Sequence, residues 1–300
     1  MLTEQNKEAL KSIAEDVRFD EPMKLHTTFR IGGNADAYIN AGSPEEIIAV
    51  KKYCAENNIP YMFVGNGSNI LVRDEGIRGA VISIGNKMSD IRVEGSLIYA
   101  GAGAMMSKAA SEALKAGLTG YEALAGIPGT IGGAVFMNAG AYGTEIKDVL
   151  KYAVCVTKDN EIVQIPAEEL ELSYRHSILA DTGAVVTSVC FELKPGNEAE
   201  IRDAMKDYAQ RRKDKQPLEY PSAGSTFKRP AGYFAGKLIE DSGLKGYTVG
   251  GAMISEKHAG FVINKGGATA NDVITLINDA ARIVKEKTGV DIEPEVRIIS

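Results

Sequence analysis

Cysteine and histidine are scarce in this chain, and the few present are scattered. Cys54, Cys155 and Cys190 are odd in number and widely spaced, so no disulfide framework or metal motif is visible. Each lies among apolar residues and reads as a small buried hydrophobe. His26, His176 and His258 lack metal-ligand spacing, which argues against a metal centre. Long apolar runs are missing too: nothing approaches the ~18 consecutive residues of a membrane span. Met1 to Asp16 is polar, rich in Glu and Lys, and without the apolar stretch of a signal peptide, so the cytoplasm is the expected location. There is no basic tract. A net charge of −6 makes general nucleic-acid binding a poor fit, while a few local cations and backbone N–H groups still suit anionic small molecules. Two common nucleotide signatures are absent. No G-x-G-x-x-G opens a helix after a strand and no G-x-x-x-x-G-K-[ST] occurs, which disfavours Rossmann and P-loop folds. No repeat or low-complexity segment interrupts the chain.

What is present is an ordinary globular composition. The 300 residues are 44% hydrophobic and 25% charged, enough for a sizeable core and more than one domain. Residues 1–18 read as a helix of mixed charge. Ser43-Pro44-Glu45-Glu46 is a helix start, with an N-cap serine and proline at the first helical position, and Ile47, Val50 and Cys54 share one face. Tyr61–Val64, Ile70–Val72 and Ala80–Ile84 are short strands, giving a strand–helix–strand pattern over residues 30–85. Met105–Ala116 is an alanine-rich helix stopped by Gly117. Tyr152–Thr157 and Ile162–Ile165 flank a polar turn and suggest a hairpin. Ala184–Leu193 is a β-branched strand. Lys194–Asn197 is a turn, and a charged helix from about Glu198 to Lys213 marks a domain boundary. Further on, Val273, Ile277, Ala280 and Val284 form one face of a helix closed by Gly289.

Two glycine-rich stretches carry the candidate chemistry. Gly65-Asn66-Gly67-Ser68-Asn69 joins two apolar runs. Its glycines allow close backbone approach and turn N–H groups toward an anion such as a pyrophosphate, while Ser68 and Asn69 add donors. A plain polar β-turn is the alternative. The second stretch, residues 120–143, holds seven glycines, no charge after Glu122, and neither helical nor strand period. Gly126, Pro128, Gly129, Thr130, Gly132 and Gly133 lie in it. Small residues suit a chain lying against a large planar ligand; a buried crossover loop is the alternative.

In order along the chain stand Leu25–Gly33, Gly65–Asn69, Gly126–Gly143, Ser173-Tyr174-Arg175-His176-Ser177, Gly224-Ser225-Thr226-Phe227-Lys228 and Glu293-Pro294-Glu295-Val296-Arg297. This ordered set resembles the vanillyl-alcohol-oxidase/PCMH-like flavoproteins. Among them it is most similar to the UDP-N-acetylenolpyruvoylglucosamine reductases. The resemblance implies an α+β protein with two FAD-binding subdomains, residues 1–78 and 79–196, and a C-terminal substrate-binding domain, residues 197–300. It implies non-covalent FAD, NADPH as reductant, and reduction of an enolpyruvyl UDP-sugar in wall-precursor synthesis. A monomer or weak oligomer is expected.

The resemblance also carries roles. Arg175 matches the family arginine, and a guanidinium grips a carboxylate in a planar fork. Ser225 matches the proton donor, with Lys228 as helper, and Glu295 matches the family glutamate. Arg211 and Lys215, four apart on one helix face, match cations expected at the UDP phosphates. Tyr142 matches a tyrosine near sugar and flavin. Without the resemblance Arg175 and Ser225 read as turn residues, Arg211 as part of a solvated charge run, and Tyr142 as core. Arg229 departs from the family, which has asparagine there. No room exists between Val186 and Glu198 for the tyrosine-bearing insert of the longer family type, so the shorter type is expected. Two alternatives stay open: another FAD-dependent oxidase or dehydrogenase of the superfamily, and a non-catalytic nucleotide-binding module.

Overall fold

Local sequence signals set most elements of the computed structural model, which describes residues 2–300. Ser43 caps the helix Pro44–Glu56, its hydroxyl accepting from the Glu46 N–H at 3.2 Å, and Ile47, Val50 and Cys54 are buried on its inner face. The helix Met106–Lys115 buries Met106, Ala109, Ala110 and Ala113, one stripe at helical spacing. Gly117 follows it at φ +63°, a left-handed conformation that glycine adopts without strain.

The chain divides into two compact units, each discontinuous in sequence: residues 1–19, 37–66 and 79–211, and residues 20–36, 67–78 and 212–300. It crosses between them five times, at Phe19, Asp36, Asn66, Arg78 and Arg211. Two of these crossings bear on function. One falls inside Gly65–Asn69, so that Gly65 and Asn66 belong to the first unit and Gly67, Ser68 and Asn69 to the second. The other falls inside the helix Glu198–Lys215, and separates Arg211 from Lys215.

The first unit is built around a five-stranded antiparallel sheet. Its order is Ile162–Pro166, Leu150–Val156, Val185–Glu192, Leu97–Gly101, Ile91–Glu94. The expected hairpin is its edge, with Val156 opposite Ile162. The sheet's apolar residues, among them Ala153, Cys155, Val189 and Phe191, join the helix stripes in one core. Tyr61–Val64 pairs parallel to Ile77–Ser83. The second unit has its own core. The helix Ala270–Thr288 starts at a capping box made by Thr269 and Asp272 and ends at Gly289, φ +74°. Its buried stripe Val273, Leu276, Ile277, Ala280 and Val284 shares a cluster with Ala252, Ile254 and Val262 of a three-stranded antiparallel sheet. The C-terminal strand Arg297–Ile299 pairs parallel to Ile70–Val72. This mixture of antiparallel sheets and packed helices is the expected α+β class.

Two elements differ from expectation. The first helix is Glu4–Ile13, and Val17–Pro22 is a strand rather than its continuation. Ala14 is already extended there, and Val17 and Phe19 alternate with exposed neighbours at the strand period. The stretch that had no period contains a six-residue helix, Ile131–Phe136, hidden because two of its residues, Gly132 and Gly133, are poor helix formers.

Candidate active site

In the first unit the two glycine-rich stretches meet. The Asn66 amide donates to the Pro128 carbonyl at 2.7 Å. A Cβ on Gly65 would fall 2.1 Å from Thr130 Oγ1, so a side chain there would force the hydroxyl to move. Gly132 is likewise close-packed: a Cβ there would lie 2.9 Å from the Ala102 Cβ. Gly133 differs, because a Cβ would meet only Thr130 Oγ1, at 3.5 Å. The glycines therefore have two uses, tight packing of the loops on each other and one open position beside a hydroxyl. Thr130 is buried, and its side chain does not cap the helix that follows it. Neither Gly65–Asn69 nor Gly126–Gly143 holds an acidic residue, and the longer stretch holds no charge. This neutral, small-residue surface with an uncommitted hydroxyl fits a flavin dinucleotide, whose pyrophosphate an acidic side chain would repel.

Arg175 is also in the first unit. It occupies a turn between Ser173 and His176, closed by reciprocal backbone bonds of 3.2 Å, and takes the left-handed φ of +57°. Its guanidinium lies 5.1 Å from the Tyr174 ring centroid. Beneath the turn, Ser177 Oγ donates to the Phe136 carbonyl at 2.6 Å and the Asn138 amide donates to the Ser173 carbonyl at 3.1 Å. Glu145 lies within electrostatic reach. Its carboxyl is held below the usual range, first by a hydrogen bond from Lys147, with Asn138 and Arg175 adding to the effect.

Tyr142, φ +53°, stacks on Tyr208 of the charged helix with ring centroids 4.7 Å apart and planes 22° apart. Arg211 lies 5.8 Å from the Tyr208 ring and pairs with Asp207 at 2.7 Å. The structure thus brings Tyr142 and Arg211 together through Tyr208, a residue without a sequence signal of its own. A tyrosine in a helix of lysines, glutamates and aspartates carries no motif. Its spacing from Arg211, i to i+3, is the one signal that links the two.

In the second unit Ser225 and Glu295 lie on adjacent segments. Phe227 and Pro294 form an antiparallel bridge. The Lys228 N–H donates to the Glu293 carbonyl at 2.8 Å, and the Glu295 N–H donates to the Thr226 carbonyl at 2.7 Å. Thr226, fully buried, donates its N–H to the Gly260 carbonyl at 2.8 Å, and its hydroxyl accepts from the Val262 N–H at 2.9 Å. Gly224 precedes Ser225 at φ +77° and turns the chain into this ladder. The ladder ends on a histidine: His258 Nδ1 accepts from the Gly260 N–H at 3.0 Å. Burial pushes the His258 pKa down, which disfavours the doubly protonated ring that could not accept this bond.

Three expected site residues make contacts within the protein. The Lys228 ammonium pairs with Glu293 at 3.1 Å, so its contact is with a carboxylate. The Asn69 side-chain amide donates to the Glu295 carbonyl at 3.4 Å, while the Asn69 backbone carbonyl accepts from the Arg297 N–H at 3.0 Å. Gly67, φ +61°, is close-packed, since a Cβ would fall 2.1 Å from the His26 carbonyl oxygen. These contacts tie the second half of the loop to the protein. Arg229 stacks over the Phe234 ring at 3.8 Å. The three cysteines are buried, with burial pushing Cys155 up to about 12, and no cluster among the described residues could hold a metal ion. Among the described residues, no helix is long and apolar enough to cross a membrane.

Comparison with known proteins gives a consistent result along the whole chain. Residues 35–166 match the FAD binding domain family, and residues 216–299 match the C-terminal domain of UDP-N-acetylenolpyruvoylglucosamine reductase. The UDP-N-acetylenolpyruvoylglucosamine reductase of Lachnoclostridium phytofermentans is 53% identical over 296 residues, 97% of this chain and 96% of that protein. The protein of the same name from Caldanaerobacter subterraneus subsp. tengcongensis is 49% identical over 299 residues, covering 100% and 98%. The crystal structure of UDP-N-acetylenolpyruvylglucosamine reductase from Thermus caldophilus superposes with a TM-score of 0.81 at 36% identity, covering 95% of this chain and 98% of that one.

Proposed function

This chain belongs to the UDP-N-acetylenolpyruvoylglucosamine reductase family, and from that premise we propose that Arg175, Ser225 and Glu295 are its catalytic groups. It is an FAD-dependent oxidoreductase that reduces UDP-N-acetylglucosamine enolpyruvate with NADPH in peptidoglycan precursor synthesis. FAD, when bound, would supply the redox chemistry, hydride transfer between NADPH and the enolpyruvyl double bond. Gly65, Asn66, Gly67, Ser68 and Asn69, with Gly126, Pro128, Gly129, Thr130, Gly132 and Gly133, are the residues that hold it without a covalent bond.

The chain's own residues then have three tasks. Arg175 orients the substrate carboxylate and stabilises the enolate charge that builds on it. Ser225 gives its hydroxyl proton to the α-carbon; a hydroxyl is a weak acid, so its placement is what makes it competent. Glu295, on the segment bonded to Thr226, orients the reacting group and acts as an acid toward the enolate. The observation that carries the Ser225–Glu295 pairing is the Phe227–Pro294 bridge, which sets the two segments side by side. Tyr142 and Arg211, joined through Tyr208, meet the sugar and a UDP phosphate, with Lys215 and Lys228 as further cations. The chain works in the cytoplasm as a monomer or weak oligomer. Residues 1–78 and 79–196 act as two FAD-binding subdomains, and residues 197–300 bind the substrate.

The test separates the two half-reactions under anaerobic conditions. Ser225→Ala is expected to leave flavin reduction by NADPH nearly intact and to slow reoxidation by the enolpyruvyl UDP-sugar by about 10²–10⁴-fold. Equal loss in both halves would remove Ser225 from the proton-donor role.

A further inference from the structure

We propose that Asn138 is a positioning residue for Arg175, its buried amide fastening the turn that carries the guanidinium. The inference rests on Arg175 being the group that grips the substrate carboxylate. Arg175 sits in a left-handed conformation, φ +57°, which disfavours an L-residue by about 1–2 kcal/mol. Such a turn persists only where its surroundings over-determine it. Ser173 and Tyr174 in the turn are exposed, and part of the constraint comes from beneath.

Asn138 supplies it. The residue is fully buried at 0% exposure and is itself left-handed, φ +43°, a conformation asparagine tolerates better than most. Its amide nitrogen donates twice, to the Ser173 carbonyl and to Glu145 Oε2, both at 3.1 Å. Its amide oxygen accepts from the Lys147 N–H at 3.0 Å. Both donors are thus used, and the orientation is fixed by chemistry. A flipped amide would set oxygen against a carbonyl and a carboxylate, and nitrogen against an N–H. Ser177 fastens the other side of the turn through Phe136, two residues before Asn138. One side chain therefore links the backbone of the arginine's turn to Glu145, the carboxylate whose charge feels Arg175.

Asn138→Asp tests this with little change of shape. It keeps the acceptor for Lys147 but replaces both donors with oxygen facing Ser173 and Glu145. In the FAD-loaded full chain, reduction by NADPH is expected to stay within about threefold of the parent. Reoxidation by the enolpyruvyl UDP-sugar is expected to fall about 10²-fold, the cost of a small misplacement of a catalytic group. In an Arg175→Lys background the same change is expected to add less than about threefold, because it acts through the arginine. Loss of both half-reactions alike, loss of neither, or full additivity with Arg175→Lys overturns the proposal. If Asn138→Asp fails to retain flavin, Ser177→Ala takes its place. It removes one bond on the other side of the turn and is expected to slow reoxidation selectively by about tenfold; no selective slowing counts against the proposal. The underlying reading is judged separately. Arg175→Lys with unchanged reoxidation sinks the role of Arg175 itself, whereas slow Arg175→Lys beside fast Asn138→Asp sinks only the positioning role.

Discussion

In the second unit Ser225 and Glu295 ride on segments whose backbones bond directly to each other, whereas in the first unit Arg175 rides on a turn fastened by side chains. The Thr226–Glu295 and Lys228–Glu293 bonds use N–H and carbonyl groups that every residue but proline offers. The Ser173 and Ser177 attachments need the amide of Asn138 and the hydroxyl of Ser177. The two arrangements fail differently. A backbone ladder tolerates side-chain change and is broken by steric intrusion into its loops. A side-chain fastening tolerates backbone adjustment and is broken by one functional-group change.

Alanine at two neighbouring glycines gives the largest expected contrast. At Gly67 the new Cβ would fall 2.1 Å from a backbone carbonyl oxygen, that of His26, in a residue at φ +61°. Neither obstacle can rotate away, so Gly67→Ala is expected to destabilise the second unit by about 2–5 kcal/mol. At Gly65 the obstacle is the Thr130 hydroxyl, also 2.1 Å away, but it ends a side chain that can change rotamer. Gly65→Ala is expected to cost about 1–2 kcal/mol and to weaken flavin retention more than stability. Urea unfolding of both variants, read beside their flavin content, checks the contrast; equal costs would dissolve it.

Thr226→Val sharpens the comparison at lower energy. It keeps the volume and the backbone ladder but strands the buried Val262 N–H, a loss of about 1–3 kcal/mol. Because Thr226 N–H and carbonyl still hold Gly260 and Glu295, reoxidation by substrate is expected to change by less than about threefold. Asn138→Asp is expected to do the reverse in rate, slowing reoxidation by about 10²-fold. A Thr226→Val variant that is stable and slow would show that the second unit also depends on side chains.

The same division separates what the sequence discloses from what it conceals. Ser43-Pro44, the run Tyr61–Val64 and the stripe Val273–Val284 are local signals, and each yields the element expected of it. The glycine stretches are visible as candidates, but composition does not distinguish Gly65 and Gly132, packed against protein, from Gly133, open beside Thr130. Ser225 and Glu295 stand far apart in the chain, so their pairing is a non-local fact that no periodicity encodes. Only the resemblance to the reductase family puts them in one argument. Asn138 and Tyr208 carry no local signal of their roles for the same reason. Asn138 is one of few polar side chains in a small-residue stretch, but its importance lies in Ser173, Glu145 and Lys147, which its neighbours in sequence do not reveal.

The smallest effect concerns pH. His258 accepts the Gly260 N–H only while neutral, and Gly260 in turn receives Thr226. Burial lowers its pKa below the ordinary 6.5; a hydrogen bond with its own backbone is the main opposing effect and Glu240 a lesser one, while Lys245 and Lys215 add to the lowering. A histidine with a depressed folded pKa binds its proton more readily when unfolded. Its contribution is therefore complete above about 6.5 and is lost as pH falls from there toward the folded value, by at most about 1.4 kcal/mol per pH unit. The fastening in the first unit has no such weakness in this range. Asn138 does not titrate, and Glu145, held down first by its Lys147 hydrogen bond, takes up its proton only below the ordinary carboxylate range. Hydrogen exchange compared at pH 7 and pH 5.5 is expected to show earlier opening around Thr226 and Val262 than around Ser173. His258→Gln, which keeps a neutral acceptor, is expected to flatten that response. Equal acid sensitivity at both places, unchanged in the variant, would mean that the ladder does not end on His258.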